Sequence, residues 1–119
     1  MMSSYAKTKQ ELQPVPDRLV VLTFDDSCKS DVSFVAPLLN SYGFGATFFA
    51  TEGFRREEGW DKKYLTWADI QKIYNMGFEI GNHTRRHLDV KGLSKEELRQ
   101  EIEYGCESCR TGQTNRLFS

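Results

Sequence analysis

Leu19-Val20-Val21-Leu22-Thr23-Phe24, followed at once by Asp25-Asp26, is the stretch on which the fold turns. It is continuously apolar and β-branched with no polar alternation, the pattern of a parallel strand covered on both faces rather than of an amphipathic one. Adjacent carboxylates at the carboxyl end of such a strand repel each other where solvent screens them poorly. They call for a cation or a hydrogen-bond network to offset that repulsion.

Outward from this strand the pattern changes period. Val32, Val35, Leu38, Leu39 and Tyr42 fall at helical spacing, with Gly43 placed for a left-handed C-terminal cap. Pro37 belongs in the first turn of that helix, or else kinks it. Ala46 to Ala50 is a second β-rich run, and a charged loop follows from Phe54 to Lys63. Thr66 and Asp69 make a capping-box start, Trp67, Ile70, Ile73 and Tyr74 form an apolar stripe, and Gly77 closes the helix. Phe78 to Gly81 reads as a third strand. Ser94 and Glu97 give a second capping box, with Leu98, Ile102 and Cys106 on one face behind it.

The order β-α-β-α-β-loop-α implies parallel strands joined by right-handed crossovers, with a site collected at the carboxyl ends of the strands. Asp25, Asp26 and His83 all fall at such ends. The chain has 119 residues, 39% apolar and 13% aromatic, enough for one core and not two. The expected organisation is a flexible arm over residues 1–17, an α/β domain over 18–109, and an unpatterned tail over 110–119.

Composition excludes several functions. With 16 basic and 17 acidic side chains the net charge is -1 and no basic face stands out, so nucleic acid is not an expected partner. The longest apolar run falls far short of the roughly 20 residues of a membrane span. Met1 to Asp17 lacks the apolar segment of a secretory signal, so the chain as written is expected to be cytoplasmic, and a longer product could be extracytoplasmic. The oligomeric state is not legible. Cys28, Cys106 and Cys109 form neither an even set nor a dense pattern and are expected to be reduced thiols.

His83 and His87, the only histidines in the chain, lie four positions apart, so on a helical turn both rings would reach one metal ion. One Asp oxygen with two imidazole nitrogens leaves coordination open for water, as in a catalytic rather than a structural zinc-type site. The remaining Asp could then accept the water's proton. Either pattern alone is commonplace; their joint appearance at two strand ends carries the inference.

Thr23-Phe24-Asp25-Asp26-Ser27 resembles the first motif, and His83-Thr84-Arg85-Arg86-His87 the second, of the polysaccharide deacetylases of carbohydrate esterase family 4. Gly45-Ala46-Thr47-Phe48-Phe49 and Gly77-Phe78-Glu79-Ile80-Gly81-Asn82 are similar to that family too. The resemblance covers about Arg18 to Gly105 and corresponds to the amino-terminal part of the domain. It implies an incomplete distorted (β/α) barrel with about three parallel strands and three helices. It implies that Asp26, His83 and His87 bind zinc, cobalt or a similar divalent ion, and that Asp25 is the catalytic base toward water attacking an acetamide. Acetate would leave an N-acetylated oligo- or polysaccharide, and Thr84 would brace the histidine loop by hydrogen bonding.

The resemblance stops before the family segments that supply an Arg orienting the base, oxyanion donors and a general-acid His. Losing an acid costs about 10²–10⁴-fold in rate and a missing oxyanion donor about 10²–10³-fold more, so the chain is expected to bind metal better than it catalyses. Three alternatives stay open. One is a non-catalytic metal and carbohydrate-binding module using Phe54, Trp60, Tyr64 and Trp67. Another is a hydrolase of non-sugar amides. The third treats Cys106-Glu107-Ser108-Cys109 as a redox pair or half a zinc knuckle, although no second pair exists and Cys106 more simply extends an apolar stripe. Cys28 is an additional candidate ligand.

Overall fold

The computed structural model describes residues 12–56 and 59–111, with residues 55–56 and 104–111 as backbone alone. Three strands, β1 (Thr23–Phe24), β2 (Thr47–Ala50) and β3 (Glu79–Asn82), form one parallel sheet in the order β1-β2-β3. Thr23 pairs with Thr47, Thr47 with Glu79, and Ala50 with Asn82. In a parallel sheet these registers send Asp25-Asp26, Thr51 and His83 out at the same end, which is what brings residues far apart in sequence to one place.

The helices are α1 (Ala36–Ser41), α2 (Trp60–Lys63), α3 (Trp67–Asn75) and α4 (Lys95–Thr111). To the three helices expected, the structure adds the single turn α2 inside the charged loop. The core forms where the sheet meets α1 and α3. Phe48 sits at its centre, stacked on Phe24 at 5.0 Å and edge-on to Phe78 at 5.4 Å. Around it are Val32, Ala36, Leu65, Ile70, Ile73 and Ile80. Trp67 and Tyr74 pack against this cluster, so Trp67 is a core residue rather than a ligand platform.

Local signals set the α3 boundaries. Thr66 Oγ1 accepts from Asp69 N at 3.1 Å while Asp69 Oδ2 accepts from Thr66 N at 2.9 Å, the reciprocal capping box read from the sequence. Gly77 follows with φ of 100°, a conformation that only glycine adopts without strain. Asp69 also meets Lys29 Nζ at 2.5 Å, tying α3 to the residues after β1.

Several expectations are corrected. The apolar run 19–24 is strand only at Thr23–Phe24, and Leu19, Val20 and Val21 are 55%, 75% and 72% exposed. Among the described residues β1 pairs with β2 alone, which makes it an edge strand, and with Thr23 exposed and Phe24 half-buried it is not covered on both faces. Pro37 stands in the first turn of α1, as expected. Asp31–Val35 winds as a π-helical turn immediately ahead of α1, and that wider winding accommodates a ring that would clash with the carbonyl one turn back and has no N–H to give. Of the α1 stripe, Val32, Val35 and Leu39 face the core, whereas Leu38 and Tyr42 are exposed.

On α4 the Ser94/Glu97 capping box forms, but Leu98 and Ile102 are exposed, and among the described side chains of α4 the buried one is Glu101. The side chains of Cys106 and Cys109 lie outside the described residues, as do residues 1–11 of the arm and 112–119 of the tail. No helix among the described residues is long and apolar enough to cross a membrane.

Candidate metal centre

Asp26 leaves the end of β1 with φ of 71°, and Ser27 follows at 54°. On the neighbouring loop Thr84 and His87 take φ of 66° and 56°. Left-handed backbone is costly for residues with a Cβ and persists where surrounding contacts over-determine it. Among the described residues, only Arg18 shares this conformation without being glycine or part of these two loops.

The contacts that hold the loops are mostly buried. His83 N donates to Ala50 O at 2.9 Å, extending the β2–β3 ladder by one residue and fixing where His83 begins. Thr51 Oγ1 donates to His83 O at 2.9 Å, and Thr51 N donates to Ser27 Oγ at 2.9 Å. Both Ser27 and Thr51 are buried, so a polar relay runs from the residue after Asp26 to the carbonyl of His83. Gly53 N donates to Arg85 O at 2.6 Å. A Cβ on Gly53 would sit 2.9 Å from Arg85 O and Arg86 Cα, so only glycine lets the two loops approach this closely.

The loop from His83 to His87 is not the helical turn expected from the four-residue spacing. The left-handed conformations of Thr84 and His87 forbid one, and the imidazoles converge through loop geometry instead. Thr84 is engaged through its backbone, its N–H donating to Asn82 Oδ1 at 2.9 Å.

Asp26 Oδ1 lies 3.2 Å from His83 Nε2 and 3.1 Å from His87 Nε2. The His83 and His87 ring centroids are 5.0 Å apart, and Asp26, His83 and His87 each offer an atom within 4.8 Å of the others. Asp26 Oδ1 is buried yet has no hydrogen-bond partner. A buried carboxylate oxygen without a donor is costly, and here it faces two imidazole nitrogens across an open centre. One carboxylate and two imidazoles fit a divalent ion of the zinc type, with coordination left over for water.

Asp25 stands outside this cluster, exposed at the end of β1. Cys28 is exposed and also outside it. Burial, then the charges of Asp31 and Asp26, push the Cys28 thiol up, which keeps it protonated and disfavours it as a ligand. Phe54 stacks on Tyr64 at 4.7 Å and lies 5.3 Å from the His87 ring, so these aromatics form a wall beside the centre. Asp31, under the same loop, is pushed up to about 6 by burial, against a backbone hydrogen bond from Cys28 and with help from the Asp26 charge.

The roles of Ser27, Thr51, Gly53 and Glu101 around the histidine loop were not read from the sequence. Ser27 lies inside the first motif, but its bond to Thr51 depends on strand register.

Comparison with known proteins agrees with this geometry. The family model described as polysaccharide deacetylase matches residues 12–118. A peptidoglycan-N-acetylglucosamine deacetylase of Bacillus cereus is 35% identical over 92 residues, covering 75% of this chain and 38% of that protein. A bifunctional xylanase/deacetylase of Pseudobutyrivibrio xylanivorans is 30% identical over 87 residues, covering 73% of this chain and 13% of that one. The chain therefore spans well under half the length of these relatives. In structure, the Streptococcus pyogenes deacetylase PplD in complex with acetate superposes with a TM-score of 0.72 at 24% identity, over 82% of this chain and 42% of that chain. That superposition shows a shared fold, and by the family match over residues 12–118 the chain belongs to the polysaccharide deacetylase family, carbohydrate esterase family 4.

Proposed function

We propose that this chain carries the metal-binding portion of an N-deacetylase acting on an N-acetylated glycan, with Asp26, His83 and His87 as ligands and Asp25 as the base. The observation that carries the reading is the convergence of Asp26 Oδ1 on the two Nε2 atoms at 3.1 and 3.2 Å without a hydrogen bond. A divalent ion, zinc or cobalt, would supply an acidified water and positive charge for the acetamide oxygen. Asp25, exposed and next to Asp26 in the chain, would accept the proton of the water, leaving Asp26 to the ion. A relative whose name specifies deacetylation of peptidoglycan N-acetylglucosamine supports a glycan acetamide as the substrate.

Both histidines of the 119-residue chain stand in the ligand set, leaving none to protonate the departing amine. We expect this chain alone to bind metal with at most a trace of turnover. The Phe54–Tyr64 wall beside His87 favours a second reading, in which the same centre binds a glycan without hydrolysing it.

The deciding assay is acetate release from N-acetylglucosamine oligomers, with the chain compared with one extended to a barrel of roughly 200–250 residues. Activity in the extended chain that is lost in Asp25→Asn supports the deacetylase. Glycan binding without acetate release from either would support the binding module. Full turnover by the 119-residue chain would show that a residue present here serves as the acid.

A further inference from the structure

The segment between the two histidines is gripped from α4 by a buried carboxylate. Glu101 is 1% exposed. Its Oε2 accepts from Arg86 N at 2.7 Å and its Oε1 from Arg86 Nε at 2.5 Å, while its main-chain oxygen accepts from Arg85 N at 3.0 Å. One residue further on, Ile102 O accepts from Asn82 Nδ2 at 2.9 Å. A single helical turn thus binds the loop at Asn82, Arg85 and Arg86, between and just ahead of His83 and His87.

An ionised carboxylate inside a protein is costly unless its lone pairs are filled, and an apolar residue would pack this helix more cheaply. The neighbouring Leu98 and Ile102 are exposed, so among the described side chains of α4 no apolar stripe docks the helix. Its buried contact is spent on the histidine loop, whose Thr84 and His87 hold strained left-handed conformations that need such over-determination.

We propose that Glu101 is a positioning residue of the metal centre, holding the loop between His83 and His87 so that both Nε2 atoms meet Asp26. This rests on the metal-centre reading above. Glu101 touches neither ion nor substrate and acts through Arg85 and Arg86, as outer partners of ligand residues commonly do; their loss typically weakens metal affinity by about 10–100-fold.

The test is titration of the metal-free chain with Co²⁺, reading affinity and the visible absorption of the saturated site. The wild type and the exposed α4 control Glu103→Gln should bind alike, and His87→Ala should bind far more weakly. Glu101→Gln keeps the shape but turns an amide N–H₂ toward Arg86, and should lose roughly 10–100-fold in affinity with an altered spectrum at saturation. Should Glu101→Gln not fold, Arg86→Met removes the guanidinium from the more exposed partner and should show the same spectral change. Loss of binding in His87→Ala beside wild-type affinity and spectrum in Glu101→Gln or Arg86→Met would overturn the role of Glu101 alone. Absence of Co²⁺ binding by the wild type would overturn the metal centre and this inference with it.

Discussion

Replacing Gly53 by alanine tests whether the histidine loop owes its position to the backbone that leaves β2. The new Cβ would lie 2.9 Å from both Arg85 O and Arg86 Cα. Ordinary van der Waals contact begins near 3.4 Å, so one of two backbones must move by about half an ångström. The shift also acts on the Gly53 N to Arg85 O bond of 2.6 Å. Overpacking of this kind typically costs about 1–3 kcal/mol, which for a domain of this size is roughly 4–12 °C in unfolding temperature. Metal ligands tolerate only about 0.2 Å around their ideal distances, so a loop displaced by more than twice that should also lose at least about tenfold in metal affinity. The assay is calorimetric titration with Zn²⁺ alongside thermal unfolding of the metal-free chain. Gly45→Ala is the control, because its Cβ would meet nothing within 4 Å and its backbone is not left-handed. Wild-type affinity and unfolding temperature in Gly53→Ala would refute the idea that this close approach sets the ligand geometry.

Two further outcomes follow from the same loops. Asp26→Ala should abolish metal binding while Asp25→Asn retains it, because only Asp26 faces the imidazoles; equal metal loss in both variants would overturn that division. Asp31, raised from 3.8 to about 6, favours the protonated fold, so its contribution is fully present below pH 4 and is lost as pH rises through 6. Asp31→Asn should therefore stabilise the metal-free chain at pH 7, by about 1–2 kcal/mol after allowing for solvent screening. The gain should vanish near pH 4 in thermal melts run with chelator, and an equal effect at both pH values would show that burial of the charge is not the cause.

The strand order and the site's location were legible because they depend on local patterns. The Thr66/Asp69 and Ser94/Glu97 boxes, Gly43 and Gly77, and the β-rich runs each report their own neighbourhood. The parallel sheet then follows from the alternation of strands and helices. Asp26 and His83 were legible because each falls just beyond a strand's carboxyl end, and His87 because it follows His83 by four positions.

What escaped the sequence depends on distance in space. The His-x-x-x-His spacing suits a helical turn equally well, and only the left-handed Thr84 and His87 decide for a loop. Glu101 sits near Glu96, Glu97 and Glu103 on α4 and is the one of these four that is buried. Gly53 resembles any loop glycine until the approach of Arg85 and Arg86 is known. The apolar run from Leu19 promised a covered strand, but Leu19, Val20 and Val21 stay exposed, which the run's own pattern cannot report.

X-ray absorption at the zinc edge of the chain loaded with one equivalent of Zn²⁺ measures the ligand set directly. The account predicts a first shell of nitrogen and oxygen at about 2.0–2.2 Å, with the scattering signature of two imidazoles, reduced to one in His87→Ala. A shell containing sulfur at about 2.3 Å, or one lacking both imidazoles, would contradict the Asp26, His83 and His87 centre.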